Sequence, residues 1–196
     1  MLRVKTFAAI LIFLTLLSGC GDNMEWNATD ISGLMPDLQI DLINDEGREV
    51  SQADFLGKTN VVFFGYTYCP DICPTTLAKI RSAIQDLSEE QRSRVNVLFI
   101  SVDPQRDTPS HLKAYVGSFG PEFTGLTGNQ KQLRQMVKKY RVTYGYGEAD
   151  EDGNYDVSHS SAVFVFDNTG AARLLARDSM ETEKLTADLA QLLAIT

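Results

Sequence analysis

Two cysteines and one histidine are the residues of this chain whose type and spacing point to chemistry. Cys69 and Cys73 form a C-x₃-C pair directly after the apolar run 61–64, and His159 follows about ninety residues later, just before a second apolar run. Thiolate sulfur and imidazole nitrogen are ligands for soft metal ions. The three side chains therefore predict a three-ligand metal site, provided that the fold brings them together.

The same cysteine pair also has the properties of a redox-active dithiol. Cys73 precedes Pro74, and proline is favoured in the first turn of a helix because its missing N–H would be unpaired there. We therefore expect Cys73 near the start of a helix, where free N–H groups and the helix dipole lower the pKa of a thiol. Cys69 lies one turn upstream, close enough for a disulfide or for a shared metal ion, and the spacing leaves both open.

The order of apolar segments predicts an α/β fold with a central sheet flanked by helices, in a thioredoxin-like arrangement. The runs 61–65 and 95–102 are typical of strands buried on both faces, and residues 162–166 and 171–176 predict a C-terminal antiparallel pair. Apolar residues at helical spacing predict helices that begin near Pro74, Thr108, Gly128 and Leu185. The stretch between the second buried strand and the C-terminal hairpin is an insertion relative to the minimal fold, and within it 141–158 predicts an exposed hairpin or loop.

A missing proline favours metal binding over general dithiol exchange. Oxidoreductases with a thioredoxin-like fold usually carry a cis-proline that faces the dithiol, just before the strand of the final hairpin. No proline follows Pro121 in this chain, and the segment that would carry one presents His159 instead. His111 is interpreted as a solvated side chain. Asp103, at the end of the run 95–102, is expected either to orient a metal ligand by a hydrogen bond or to cap the adjacent turn.

The third cysteine, Cys20, belongs to an N-terminal leader. Residues 1–19 have a basic start, an apolar stretch of signal-peptide length and small residues before the cysteine, as in a secretory signal. Leu17-Ser-Gly-Cys20 resembles the bacterial lipobox; the alternative is an ordinary signal peptide with a stray cysteine. The sequence thus predicts a lipoprotein signal peptide over 1–19, a tether over 20–35 and one domain over 36–196, with a lipid anchor that does not span the membrane.

The charge of the chain limits its partners. It has 18 basic and 26 acidic side chains, for a net charge of −8, and without Arg3 and Lys5 of the leader the balance is 16 against 26, or −10. Nucleic acids and anionic lipid surfaces attract Lys and Arg, so an acidic domain is not expected to bind either. A cationic or metal-bearing partner fits this charge.

Four ordered motifs resemble those of the Sco/SenC proteins. They are Gly65-Tyr-Thr-Tyr-Cys-Pro-Asp-Ile-Cys-Pro-Thr-Thr-Leu77, Val102-Asp-Pro-Gln-Arg-Asp-Thr-Pro109, Leu126-Thr-Gly128 and Val157-Ser-His-Ser160. The resemblance runs from about Pro36 to the end of the chain. It implies a membrane-tethered thioredoxin-like domain that faces the periplasm or the intermembrane space, and copper binding by Cys69, Cys73 and His159. It also implies a role in assembling the CuA centre of cytochrome c oxidase subunit II.

The chain departs from the family pattern at two points. Many members anchor by a transmembrane helix, whereas this chain resembles a lipoprotein. Many members also carry an acid directly before the histidine, where this chain has Ser158. A carboxylate that orients the imidazole of His159 is therefore expected from Asp156 or from elsewhere.

The leading hypothesis is a copper metallochaperone on the periplasmic side of a membrane. Reduced Cys69 and Cys73 with His159 would bind Cu(I), or Cu(II) if the thiols resist oxidation, for the CuA site of subunit II or for another cuproenzyme. The alternative is a thiol-disulfide oxidoreductase that reduces the cysteines of the CuA site, so whether the chain is an enzyme stays open. Either function needs a copper donor or a thiol reductant. A peroxidase or redox sensor is a third class. Such proteins usually have an arginine beside the thiolate, a place that Arg106 could take in the fold.

Overall fold

A mixed sheet of eight strands organises residues 25–196, the part of the chain that this computed structural model describes. The strands in chain order are β1 (Thr29–Asp30), β2 (Asp41–Asn44), β3 (Glu49–Ser51), β4 (Thr59–Gly65), β5 (Val95–Ser101), β6 (Phe123–Thr127), β7 (Tyr144–Tyr146), β8 (Val157–His159), β9 (Val163–Phe166) and β10 (Ala172–Ala176). The helices are α1 (Ile72–Gln85), α2 (Glu89–Ser93), α3 (Pro109–Gly117), α4 (Gln130–Lys139) and α5 (Thr182–Ile195). The sheet has the order β1-β10-β9-β4-β5-β6-β2-β3, and β7 pairs with β8 in a separate hairpin.

Strand β4 lies between β5 and β9 in the middle of the sheet, and its sequence explains this position. All of its residues are buried, and most are apolar. A strand with neighbours on both sides and cover on both faces needs apolar side chains in both directions. Two of its residues, Thr59 and Asn60, are polar. Asn60 donates its side-chain amide to the carbonyls of Phe55 and Lys58, whereas the hydroxyl of Thr59 has no partner within residues 25–196.

Helices cover both faces of the sheet. Successive side chains of a strand point to opposite faces, so the apolar residues of the central strands need cover on each side. On one face, Phe63 packs against Phe99, which contacts Tyr115 of α3. On the other face, Phe64 packs against Tyr140, the residue that follows α4. This layering confirms the predicted α/β architecture, with a central sheet flanked by helices.

Three segments that are distant in the sequence meet at one end of the sheet. Strands β4 and β5 are parallel, so the loops that follow Gly65 and Ser101 leave from the same end. Strand β9 is antiparallel to β4, with Phe63 opposite Val163, so the segment before β9 also lies at this end. The loop that carries Cys69, the loop after β5 and the β7–β8 hairpin are thereby brought together.

The insertion before the C-terminal hairpin contains α3, β6, α4 and the β7–β8 hairpin. The structure confirms a hairpin within 141–158 and the antiparallel pair of β9 and β10. It also adds two elements that the periodicity missed. Helix α2 has only five residues, too few for a periodic pattern. The apolar pattern of strand β6 is interrupted by Gly125, which is required there because a Cβ would lie 2.8 Å from the Cβ of Leu112 in α3.

The N-terminal part of the described chain packs against the domain. Strand β1 pairs with β10, and Ala28 and Ile31 beside it are buried. The buried carboxylate of Asp188 in α5 accepts hydrogen bonds from the backbone N–H and side-chain amide of Asn27 and from the N–H of Ala28. From Asn27 onward, the segment predicted as a tether over 20–35 is therefore ordered. The segment is mostly polar, so its two buried apolar residues, Ala28 and Ile31, did not stand out in the sequence.

The predicted signal peptide over 1–19 and the lipidation site at Cys20 lie outside the described residues. Both remain predictions. Within residues 25–196, no helix is at once long enough and apolar enough to cross a bilayer.

Gly65→Ala should destabilise the end of β4 beside the cysteines. A Cβ at position 65 would lie 2.6 Å from Cys73 Sγ and 2.8 Å from Phe99 Cε2, and both side chains are fully buried. Overpacking of this kind costs about 1–3 kcal/mol. We expect the free energy of unfolding, measured with urea, to fall by that amount.

Gly117→Ala is the matched control, since a Cβ at the end of α3 meets nothing within 4 Å. It should leave stability unchanged or raise it, because alanine is favoured over glycine in a helix. Wild-type stability in Gly65→Ala would contradict the tight packing of the Cys73 thiol on β4.

Candidate metal centre

Cys69, Cys73 and His159 meet where β4 ends. Each offers one ligand atom, and these atoms all lie within 4.8 Å of one another. Both cysteines are free thiols; Cys73 is fully buried, Cys69 is 9% exposed and His159 is half-buried. Between residues 25 and 196 this is the one group of three or more His, Cys, Asp or Glu side chains with such a geometry. The structure thus brings together the residues that the sequence predicted as a ligand set.

A tight turn and the start of α1 position the two cysteines. The N–H of Cys69 donates to the carbonyl of Tyr66, which folds the chain back after β4. Helix α1 begins at Ile72, two residues before Pro74, so Cys73 lies inside the first turn. The predicted start at Pro74 was late, because proline is tolerated throughout the first turn, where the N–H groups have no partner within the helix.

Burial outweighs the effect of the helix N-terminus on Cys73. Burial raises the pKa of the Cys73 thiol far above its ordinary value, and the adjacent Cys69 adds to the increase, while a hydrogen bond with the Tyr66 backbone acts in the opposite direction. The prediction of a lowered thiol pKa is therefore wrong for the metal-free protein. A bound metal ion deprotonates a coordinating thiol outright, so binding would itself convert Cys73 to the thiolate.

The imidazole of His159 is oriented with one nitrogen available to a metal ion. Its Nδ1–H donates to the carbonyl of Ser160 at 3.0 Å, and because a carbonyl can only accept, Nε2 carries the lone pair. Nε2 lies 3.2 Å from the Sγ of Cys73 and accepts a hydrogen bond from this thiol. The rings of Phe63 and Tyr66 meet the imidazole edge-on. Burial lowers the pKa of His159, which favours the neutral form that binds metals.

The two acids expected to orient the ligands have other partners. Asp103 is buried and accepts hydrogen bonds from the hydroxyl of Tyr155 and the guanidinium of Arg106. Asp156 is exposed, and the carbonyl of Ser160 takes the place that a carboxylate was expected to fill at the imidazole. In the described part of the chain, neither acid makes a hydrogen bond with any of the three ligand side chains.

Asp107 is the acid beside the cysteine loop that sequence reasoning missed. Its buried carboxylate accepts hydrogen bonds from the N–H of Thr67 at 3.0 Å, the hydroxyl of Thr67 at 2.6 Å and the hydroxyl of Ser101 at 2.6 Å. Burial raises the pKa of this carboxyl, although the hydrogen bonds favour its charged form. The motif 102–109 contains two acids, and only Asp103 could be placed at a strand end from the sequence.

An exposed aromatic side chain borders the centre. Tyr68 is 54% exposed and stacks on the exposed ring of His111, with 5.3 Å between the centroids. The guanidinium of Arg106 lies 3.7 Å from the ring centroid of Tyr155 and is paired with Asp103. Throughout residues 25–196, Arg106 makes no hydrogen bond to a cysteine sulfur. Arg106 is therefore held by Asp103 and Tyr155 and does not contact the thiols, as the arginine of a peroxidase or sensor usually does.

Comparison with known proteins identifies the family. The profile of the SCO1/SenC family matches residues 37–194. The chain belongs to the SCO1/SenC family. Protein SCO2 homolog, mitochondrial, from Bos taurus is 42% identical over 130 residues, which make up 66% of this chain and 49% of that protein. This chain therefore spans about half the length of that relative.

Two further comparisons extend over more of the chain. A putative copper-binding protein from Stutzerimonas stutzeri is 34% identical over 155 residues, or 79% of this chain and 76% of that protein. The structure of Arabidopsis thaliana ScoI with copper bound aligns with a TM-score of 0.76 and 32% identity, over 82% of this chain and 99% of that one. These similarities confirm the SCO1/SenC assignment and the thioredoxin-like fold.

The affinity of the centre for a soft metal ion should rise with pH. The raised pKa of Cys73 keeps its thiol protonated at neutral pH, so binding must release that proton, whereas the lowered pKa of His159 leaves the imidazole neutral. Release of one proton per ion makes the apparent affinity rise about tenfold per pH unit. We expect at least this slope for Cu(I), titrated anaerobically against a chelator of known pH dependence between pH 6.5 and 8.5.

Cys73→Ser provides the control for this slope. It lacks the proton that metal binding displaces from position 73, so its affinity should depend less steeply on pH. A wild-type affinity that does not change with pH would contradict the assignment of Cys73 as a protonated ligand.

Proposed function

We propose that this protein is a copper metallochaperone that carries Cu(I) on Cys69, Cys73 and His159. Its target would be the CuA centre of cytochrome c oxidase subunit II. The observation that carries the proposal is the convergence of two thiol sulfurs and one imidazole nitrogen within 4.8 Å. Thiolates are soft ligands that select Cu(I), and imidazole also suits copper, so the donor set fits this cargo.

The surroundings of the centre suit the transfer of an ion. Three protein ligands leave room for an incoming ligand, and Cys69 stands between the exposed residues Tyr68 and Pro70. A cysteine or histidine of a target can therefore approach the ion from the side of Cys69, while Cys73 stays buried. Exchange of one ligand at a time would move the ion without releasing it into water.

The relatives support copper as the cargo. Solved structures of Arabidopsis thaliana and Bradyrhizobium japonicum ScoI have copper bound, at 32% and 33% identity to this chain. The Stutzerimonas stutzeri relative is described as a putative copper-binding protein. By this similarity we extend copper binding to Cys69, Cys73 and His159, and the role in oxidase assembly follows from the family resemblance of their motifs.

The leader supports an extracytoplasmic location. A signal peptide over residues 1–19 and lipidation of Cys20 would anchor the domain to a membrane on the periplasmic side. Such a compartment is oxidising, so a pair of reduced thiols needs protection or a reductant there. Burial of Cys73 provides part of that protection, because the thiolate is the species that reacts.

A thiol-disulfide oxidoreductase is the second candidate, since two free thiols lie side by side. The Cys69 thiolate would attack a target disulfide and form a mixed disulfide, and the Cys73 thiolate would then displace the target sulfur. Two electrons pass to the target, whose cysteines are reduced while Cys69 and Cys73 become a disulfide. The raised pKa of Cys73 slows the second step, because few of these thiols are ionised.

An anaerobic titration with Cu(I) against a competing chelator separates these two functions. For the reduced protein covering residues 25–196 we expect one tightly bound ion. Cys69→Ser, Cys73→Ser and His159→Ala should each weaken binding at least tenfold, since each removes a ligand. His111→Ala is the matched control, because it removes the other histidine of the chain, which is exposed and outside the ligand set.

Weak binding that is indifferent to His159→Ala would contradict the metallochaperone. The oxidoreductase predicts that outcome together with a mixed disulfide that accumulates with a disulfide-bonded target in Cys73→Ser. Reduction of such a target by His159→Ala at the wild-type rate would add support to it.

A further inference from the structure

The cysteine loop and the histidine hairpin come from distant parts of the sequence and are held by the same short segment. This segment, residues 101–107, connects β5 with α3 and is called the brace below. It passes between the loop that carries Cys69 and the β7–β8 hairpin that carries His159. Its buried side chains Ser101, Asp103 and Asp107 have no exposed surface. The brace therefore has contacts with both halves of the metal centre and contributes no ligand itself.

The first contact of the brace fixes the cysteine loop. The carboxylate of Asp107 accepts two hydrogen bonds from Thr67, one from its backbone N–H and one from its hydroxyl. It accepts a third from the hydroxyl of Ser101, the last residue of β5. Thr67 lies two residues before Cys69, within the turn that is closed by the hydrogen bond from the N–H of Cys69 to the carbonyl of Tyr66. A buried carboxylate with three donors cannot move without leaving at least one donor unpaired, which is costly. Asp107 thus limits the positions open to Cys69.

The second contact fixes the histidine hairpin. Asp103 accepts a hydrogen bond from the hydroxyl of Tyr155 at 2.8 Å, and Arg106 donates to the backbone carbonyl of Tyr155 at 2.9 Å. The guanidinium of Arg106 also packs on the ring of Tyr155. In addition, the hydroxyl of Tyr146 donates to the carbonyl of Val102 at 2.7 Å. These bonds hold strand β7 and the residues that lead into β8, the strand that ends at His159.

We propose that the brace sets the separation between the thiols and the imidazole. Asp107 acts as the positioning residue for Cys69, and Asp103 with Arg106 positions His159 through Tyr155. The inference rests on the proposed copper site, whose ligands it holds at a fixed spacing. It also explains why Asp103 and Asp107 lie near the centre without contacting a ligand atom: both bind the segments that carry the ligands, at Tyr155 and at Thr67.

The two contacts can be broken separately. Asp107→Ala removes the acceptor of Thr67, and Tyr155→Phe removes one hydroxyl while it keeps the ring that packs on Arg106. Loss of a residue that orients a metal ligand typically weakens metal binding 10–100-fold. We expect a loss in this range for Asp107→Ala and a loss near its lower end for Tyr155→Phe, measured by competitive Cu(I) titration.

Each variant has a matched control. Asp167 is likewise a buried carboxylate that caps a turn, with donors from Thr169 and Ala171, but it follows β9 at the opposite end of the sheet. Asp167→Ala should therefore lower stability without changing copper affinity. Tyr144→Phe removes a hydroxyl of the same hairpin that has no hydrogen-bond partner within residues 25–196, and it should leave both properties unchanged.

Measurements in a His159→Ala background show which ligand each contact positions. If Tyr155 acts through His159, Tyr155→Phe should have no further effect on affinity in a His159→Ala protein. Asp107→Ala should still weaken binding there, since it acts on Cys69. Hydrogen exchange of the copper-free protein gives an independent readout: Asp107→Ala should speed exchange at the amide of Cys69, and Tyr155→Phe at the amide of Ser160, which bonds to the carbonyl of Thr143.

The outcomes distinguish the inference from the proposed function. Tight copper binding by the wild type, unchanged in Asp107→Ala and Tyr155→Phe, would overturn the brace and leave the metallochaperone in place. Equal losses in Asp107→Ala and Asp167→Ala would also overturn it, because both would then reflect general instability. If the wild type binds no copper, the proposed function fails, and the exchange pattern of the copper-free protein still decides whether the brace holds the two segments.

Discussion

The metal centre depends on the pairing of β9 with β4. This antiparallel pair sets Val163 opposite Phe63, and it thereby brings the residues before β9 to the end of the sheet where β4 releases the cysteine loop. Both strands are buried on both faces, so a shift by one residue would move every side chain of β9 to the opposite face and disrupt its packing. His159 reaches Cys73 because this register is fixed, although the two residues are 86 positions apart.

Burial gives the centre its chemical character. In the metal-free protein, Cys73 keeps its proton and shares it with Nε2 of His159, since burial disfavours both the thiolate and the imidazolium. A soft cation supplies the positive charge that the site lacks. The same burial makes Cys73 a poor nucleophile, and a metal ion must displace its proton to bind. The low reactivity of this thiol separates the proposed chaperone from a fast dithiol oxidoreductase. Cys69, which is 9% exposed beside the exposed Tyr68, and the half-buried His159 are easier for a partner to reach than the fully buried Cys73.

The candidate ligands and the central strands could be predicted from the sequence, because both leave strong local signals. Cys69 and Cys73 stand directly after a wholly apolar strand, and the absence of proline before β9 pointed to His159. The start of α1, the short strand β6 and the raised pKa of Cys73 were not predictable in this way. They depend on packing between segments. Gly125 has no side chain that would clash with Leu112 of α3, and the Cys73 thiol packs against Gly65 of β4. Asp107 was missed for the same reason, since its partner Thr67 lies 40 residues away.

X-ray absorption spectroscopy of the Cu(I)-loaded protein tests the central claim most directly. One copper ion per chain with two sulfur neighbours and one imidazole nitrogen is the expected result, and the nitrogen signal should disappear in His159→Ala. A spectrum with sulfur neighbours alone in the wild type would contradict the three-ligand centre. In that case His159 would not bind the ion, although it lies beside the two cysteines.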